Sequence, residues 1–376
     1  MLHVRNQEAS LPAARATAAD PPPTVTDGPP RVKPRDPYFD NAKYLAIVLV
    51  GIGHAWTPLR GDSRTAAALY DFVYTFHMPA FILLAGYFSR GYTGRPEQLK
   101  RLITGIGLPY VLFEVGYILF KRWGDDDPDY PFSLLDPYYV TWFLIALFVW
   151  RLTSPIWRVV RWPLPIALVI AALASVSPHL GDDLNIQRVL QFLPFFVLGL
   201  MLRPEHFELL RRPFARPLAV AVLAVGLAVA FWVSPQVEHS WFYRTNSAQE
   251  MGADAWAGVA ATLGLFAAGL VLTAAFLALV PTRATWFTAL GAGTIYGYLL
   301  HGFIAKGSRW WDWYEAGWVG TPAGHVAVTL IGAAVITALC TSPVRRAFRF
   351  LVEPSMDWAF TQEARRPASR RPVRSG

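Results

Sequence analysis

Apolar residues fill this chain in long runs broken by short polar clusters, and the length of the runs is their most informative property. Ten stretches stand out, near residues 42–58, 70–89, 103–120, 138–152, 164–180, 189–202, 217–234, 255–280, 285–305 and 325–342. Runs of about 20 apolar residues with few charges predict helices that cross a bilayer. The expected fold is therefore all-α, a polytopic membrane protein with about ten transmembrane helices. The fourth and sixth stretches are short for a straight span, a length that also fits a re-entrant segment. Residues 1–37, rich in proline and small polar residues, predict a disordered cytoplasmic tail. Residues 38–353 predict one membrane domain, and 354–376 a basic, proline-punctuated cytoplasmic tail lying against anionic headgroups.

Composition agrees with the pattern: 54% of residues are hydrophobic and 14% aromatic, with a mean hydropathy of +0.31. Charge adds orientation. Placing the N-terminus inside puts Arg31, Lys33, Arg35 and Lys43 in the cytoplasm with Arg90, Arg95, Lys100 and Arg101, then Arg151, Arg158 and Arg161, and the later clusters at Arg203–Arg216, Arg283 and Arg345–Arg349. The alternate loops carry acids, as in Asp125–Asp129 and in Glu238, Glu250 and Asp254. This is the distribution of a positive-inside protein, expected in the cell membrane with both termini cytoplasmic. It accounts for most of the net charge of +8 without a nucleic-acid partner. The one cysteine, Cys340, reads as a small core residue.

The first span holds the most informative polar pair. In K-Y-L-A-I-V-L-V-G-I-G-H-A-W, Lys43 and His54 are eleven positions apart, which on a helix brings them to within roughly 20° of one direction and about 16 Å apart along the axis. Gly51 and Gly53 would admit another chain or a ligand close beside the ring. His77 and His301 also fall inside predicted spans, and with the orientation above all three histidines lie roughly 6 to 11 Å below the external surface. Buried ionisable groups at one depth point to a cavity. His3, His206, His179, His239 and His325 fall in tails, loops or at a boundary. No H-E-x-x-H, G-x-x-x-x-G-K-[ST] or G-x-S-x-G pattern is present, G-A-G-T-I-Y-G at Gly291 reads as helix packing, and the D-D-D-P-D run reads as a solvated loop rather than a metal site.

D-N-A-K-Y-L-A-I-V-L-V-G-I-G-H resembles the first-helix motif of the membrane acyltransferase 3 family, in which a basic residue precedes a histidine by eleven positions. Four further segments are similar to that family in the same order: Y-T-F-H-M-P-A-F-I-L-L-A-G-Y-F at Tyr74, Y-V-T-W-F-L-I-A-L-F at Tyr139, L-P-F-F-V-L-G-L-M-L at Leu193, and Y-G-Y-L-L-H at Tyr296. The F-H-M-P segment is most similar to the fucose 4-O-acetylase-like branch. Arginine is commoner than lysine at the position of Lys43, and Ser-Gly is commoner at Ala85-Gly86.

The resemblance implies an O-acyltransferase that moves an acyl group, usually acetyl, from cytoplasmic acyl-coenzyme A to a hydroxyl of a glycan or other natural product, with no permanently bound cofactor. It implies catalytic roles for His54 and Lys43. Lys43, Arg90, Lys100 and Arg101 are the expected phosphate partners of the donor, whose pantetheine arm would span the distance to His54. His77, His301, Tyr298 and Asp40 are the expected substrate contacts, with His77 or a nearby amide at the oxyanion. His54 fits either a general base or an acyl-carrying nucleophile. Two other functions remain open on sequence: a transporter or flippase with a histidine proton relay, which predicts corresponding halves that are not visible here, and a polyprenyl-linked glycosyltransferase, which leaves the first-span histidine unexplained.

Overall fold

The computed structural model describes residues 36–178, 180–181 and 183–362, so His3, His179 and the greater part of both expected tails lie outside the described residues. Among the described residues every regular element is helical. Each of the ten apolar stretches overlaps a helix: α1 Pro37–Trp56, α2 Arg64–Phe88, α3 Pro96–Gly124, α4 Trp142–Val159, α5 Pro163–Ala174, α6 Ile186–Met201, α7 Ala215–Val233, α8 Ala255–Leu279, α9 Thr294–Trp310 and α10 Pro322–Leu339. Six of these helical segments are long and apolar enough to cross a membrane, those of α2, α3, α6, α7, α8 and α10. The other four are shorter or more polar. The twelve residues of α5 reach only about 18 Å against a hydrocarbon core of about 30 Å.

Several boundaries differ from those the apolar pattern suggests, some of them for a local polar reason. The fourth helix starts at Trp142 instead of about residue 138 because the buried carboxylate of Glu114 accepts hydrogen bonds from the Tyr138 amide at 3.0 Å and the Thr141 hydroxyl at 2.5 Å, which fixes residues 138–141 as a turn. The helix then runs on through Arg151 and Arg158, which reach back to the Ser89 hydroxyl and the Tyr92 carbonyl. The fifth ends at Ala174, where the Ser175 carbonyl instead accepts from the Ala248 amide at 2.8 Å. The ninth starts at Thr294, nine residues late, because residues 285–293 pack on the start of α1: Asn41 Oδ1 accepts from the Thr288 hydroxyl at 2.7 Å, and a Cβ on Gly291 would lie 2.3 Å from the Asp40 carbonyl.

Glycine positions show how tightly the bundle is closed. A Cβ on Gly86 would lie 2.2 Å from the Phe196 carbonyl, and one on Gly199 2.2 Å from the Leu83 carbonyl, so α2 and α6 cross backbone to backbone at reciprocal glycines. Gly51 abuts Ile336 of α10, Gly53 the ring of Tyr74, and Gly293 the Cys340 carbonyl. The glycines of the first span and of G-A-G-T-I-Y-G thus serve helix packing. The core between α2, α4, α6 and α9 is apolar and aromatic, with Leu144, Trp150, Phe195, Phe196 and Leu299 buried.

Outward faces of α5, α7 and α10 expose Val169, Leu218, Val225 and Leu330, each more than half accessible. Apolar surface this extensive belongs against lipid tails. Exposed tryptophans mark helix ends, with Trp123, Trp232 and Trp256 at one end of the bundle and Trp162, Trp286 and Trp358 near the other, as interfacial aromatic belts require.

Candidate functional site

Two ends of α1 carry the two polar groups singled out by their spacing, and the structure treats them differently. At the N-terminal end, Lys43 forms a 2.7 Å ion pair with Asp40. Around it Arg90 lies over the Tyr87 ring at 3.7 Å and donates Nη1 to the Leu202 carbonyl at 2.8 Å, while Arg211 lies over Tyr38 at 3.9 Å. Lys100 pairs with Asp357 at 2.5 Å, and Arg101 is exposed. These basic groups share one end of the bundle, but Arg90 and Lys100 are committed to protein partners. The path along α1 from Lys43 to His54 is packed: Ile47 and Val50 are buried, and Gly51 is pressed against Ile336.

At the C-terminal end, His54 lines a cavity of about 420 Å³ together with Tyr74, His77, Tyr139, Tyr298 and Arg309. The ring centroids of His54 and His301 are 5.2 Å apart, and Tyr74 lies 6.2 Å from His54 and 4.6 Å from His77. The three histidines therefore converge. His77 Nδ1 lies 2.8 Å from the Val73 carbonyl and His301 Nδ1 2.7 Å from the Tyr298 carbonyl. A carbonyl can only accept, so in both rings Nδ1 carries a proton and, in the neutral form, Nε2 presents a lone pair. His301 Nε2 is buried without a partner. Neutral His77 is thus an acceptor at Nε2 and does not suit an oxyanion.

His54 is held differently. Its Nδ1 lies 2.7 Å from the Tyr139 hydroxyl, which also accepts from Arg309 Nη2 at 2.7 Å. The Tyr74 hydroxyl is a more distant neighbour at 3.5 Å. The Tyr139 phenol keeps its proton near neutrality, as an ordinary tyrosine does, so its oxygen can accept while its hydrogen donates. Tyr139 itself has φ of +55°, a left-handed conformation uncommon for a large residue. Glu114 sustains it by clamping the turn at Tyr138 and Thr141, and Tyr298 donates its hydroxyl to the Val140 carbonyl just after it. Tyr298 therefore offers the cavity its ring, while Asp40 lies at the far end of α1 with Lys43.

Sequence reasoning did not single out Tyr139, Arg309, Glu114 or Arg188. Signals for all four existed. Tyr139 opens one of the five family-like segments, and Arg188 and Arg309 are basic residues on the end that the charge alternation assigns to acids. Glu114 is a lone carboxylate inside an apolar run, which a bilayer tolerates only with partners. Among the described residues no group of three or more His, Cys, Asp or Glu side chains is placed to hold a metal ion.

Residues 36–342 match the family model described as an acyltransferase domain, that of acyltransferase 3. No curated protein matches the chain, and no solved structure does.

Proposed function

Because the chain belongs to the acyltransferase 3 family, we propose that this membrane protein transfers an acyl group, acetyl in the simplest case, from acyl-coenzyme A to a hydroxyl in the His54 cavity. The F-H-M-P segment, similar to the fucose 4-O-acetylase-like branch, supports a sugar or sugar-like hydroxyl as acceptor. The bundle lies in the cell membrane as about ten spans with both termini cytoplasmic, and donor enters from the Lys43 end.

The observation that carries the reading is the hydrogen bond of His54 Nδ1 to Tyr139, a residue itself fixed by Arg309 and by the Glu114 turn. When Nδ1–H donates to the phenol oxygen, Nε2 is free to act as general base. It takes the proton of the acceptor hydroxyl as that oxygen attacks the thioester carbon; the C–O bond forms, the C–S bond breaks, and the proton passes from Nε2 to the departing thiolate. In this tautomer the phenolic hydrogen of Tyr139 and the Arg309 guanidinium are donors for the developing oxyanion. His77, which lines the cavity with its Nε2 lone pair, suits orientation of the acceptor hydroxyl, while His301 is not among the cavity-lining residues and packs beside the His54 ring. Reaching His54 along the face of Lys43 requires the contact between Gly51 and Ile336 to open.

The test is the fate of label. Purified protein in vesicles, given radiolabelled acetyl-coenzyme A and a panel of sugar acceptors, should release free coenzyme A and retain label on the acceptor. Movement of an intact solute across the vesicle membrane with no thioester loss would replace the acyltransferase reading with a transporter.

A further inference from the structure

The cationic lining of the His54 cavity is not required by proton transfer. Arg60, Arg188 and Arg309 line it, with Asp136 the one acidic side chain among the lining residues. Each guanidinium is fixed by uncharged groups. Arg60 donates Nη1 to the Tyr243 hydroxyl and lies 4.9 Å from the Tyr70 ring. Arg188 donates Nε to the Tyr243 carbonyl at 2.7 Å and stacks at 4.4 Å on Trp142. Arg309 donates Nε to the Ala305 carbonyl at 3.1 Å and Nη2 to Tyr139.

Among the described residues, none of the three forms an ion pair with a carboxylate. Acids are not scarce at this end, where Lys121 pairs with both Asp125 and Asp127. Nor does the positive-inside rule place arginine here, since the main basic cluster is at the Lys43 end. Carbonyls, hydroxyls and aromatic faces aim these guanidiniums; the nearby Asp71, which bears on Arg60, is itself paired with His239, and among the described residues no hydrogen bond engages either Nη of Arg188. Three like charges around one partly enclosed space repel until an anion enters.

Resting on the assignment of this cavity as the acceptor site, we propose that the acyl acceptor is anionic: a hydroxyl compound bearing a carboxylate or phosphate, whose charge is held by Arg188 with Arg60 and Arg309 beside it while its hydroxyl faces His54. A phosphate of coenzyme A has the same chemistry, so the experiment separates the two sources. Glucose 1-phosphate, glucuronate and glucose are titrated calorimetrically into the detergent-purified full chain, with and without saturating coenzyme A, in wild type, Arg188→Gln, Arg60→Gln and His54→Ala, each checked by its melting curve.

The expected result is that both anionic sugars bind wild type at least about ten-fold tighter than glucose, that the preference weakens with added salt, and that saturating coenzyme A leaves it in place. It should fall in Arg188→Gln and in Arg60→Gln, and persist in His54→Ala. Equal binding of charged and neutral sugars, or a preference that survives both arginine variants, would overturn the proposal. So would displacement by coenzyme A, which would assign the arginines to the donor. Retained acyl transfer in His54→Ala would instead count against the catalytic reading alone.

Discussion

At the scale of single residues, the candidate site depends on how one imidazole is held. The partner of His54 is a phenol, and that phenol is fixed by a guanidinium on one side and a clamped turn on the other. Tyr139→Phe removes the hydroxyl while keeping the ring, so it should lower turnover by up to about a hundred-fold through loss of ring orientation. The melting temperature should change little, and kcat, rather than the KM for donor, should carry the loss. Glu114→Ala should behave differently: it leaves the Tyr138 amide unpaired in a buried place while the Thr141 hydroxyl keeps only the Tyr138 carbonyl as acceptor, at a cost on the order of 2 kcal/mol, and its thermal melt should fall together with activity. At the other end of α1, Lys43→Ala should weaken coenzyme A binding in a calorimetric titration whereas Lys43→Arg retains it. Unchanged affinity in the alanine variant would leave Lys43 as an interfacial anchor paired with Asp40.

Between elements, closure depends on glycine. A methyl on Gly86 would meet the Phe196 carbonyl oxygen at 2.2 Å, an atom that cannot move without its helix, while a methyl on Gly264 meets nothing within 4 Å. Gly86→Ala should therefore destabilise the bundle by roughly 2 kcal/mol or more, through overpacking. Gly264→Ala should be neutral or stabilising by up to about 1 kcal/mol; equal melting temperatures for the two would contradict the backbone-to-backbone crossing. Helix positions were legible in the sequence because a bilayer demands length and apolarity, both of which are local. The late start of α4 at Trp142 was not, since the groups that set it, Glu114 and Thr141, are 27 residues apart. For the same reason sequence placed His54, His77 and His301 at one depth but could not show which helix faces meet. Depth follows from counting along a helix; the approach of Arg309 to Tyr139, 170 residues away, follows from the packing of α9 against that turn.

For the whole molecule, the two ends of the bundle define the chemistry: a basic end with Lys43, Arg90, Lys100 and Arg101, and an end where His54 lies in a cavity lined by arginine and tyrosine. If the basic end is cytoplasmic, cysteines introduced in residues 125–135 should react with an impermeant reagent from outside and those in 205–213 should not; Cys340 is buried and contributes little background. The reverse pattern would put the acceptor cavity on the cytoplasmic side. The central claim is that the His54 ring does chemistry in a family acyltransferase, and it is tested most directly by the rate of acetyl transfer from labelled acetyl-coenzyme A in His54→Ala beside its melting curve. The account predicts a fall of about a hundred- to ten-thousand-fold with the melt unchanged, because the ring lines a cavity and a smaller side chain leaves the packing intact. Near-wild-type transfer by a folded His54→Ala protein would contradict it.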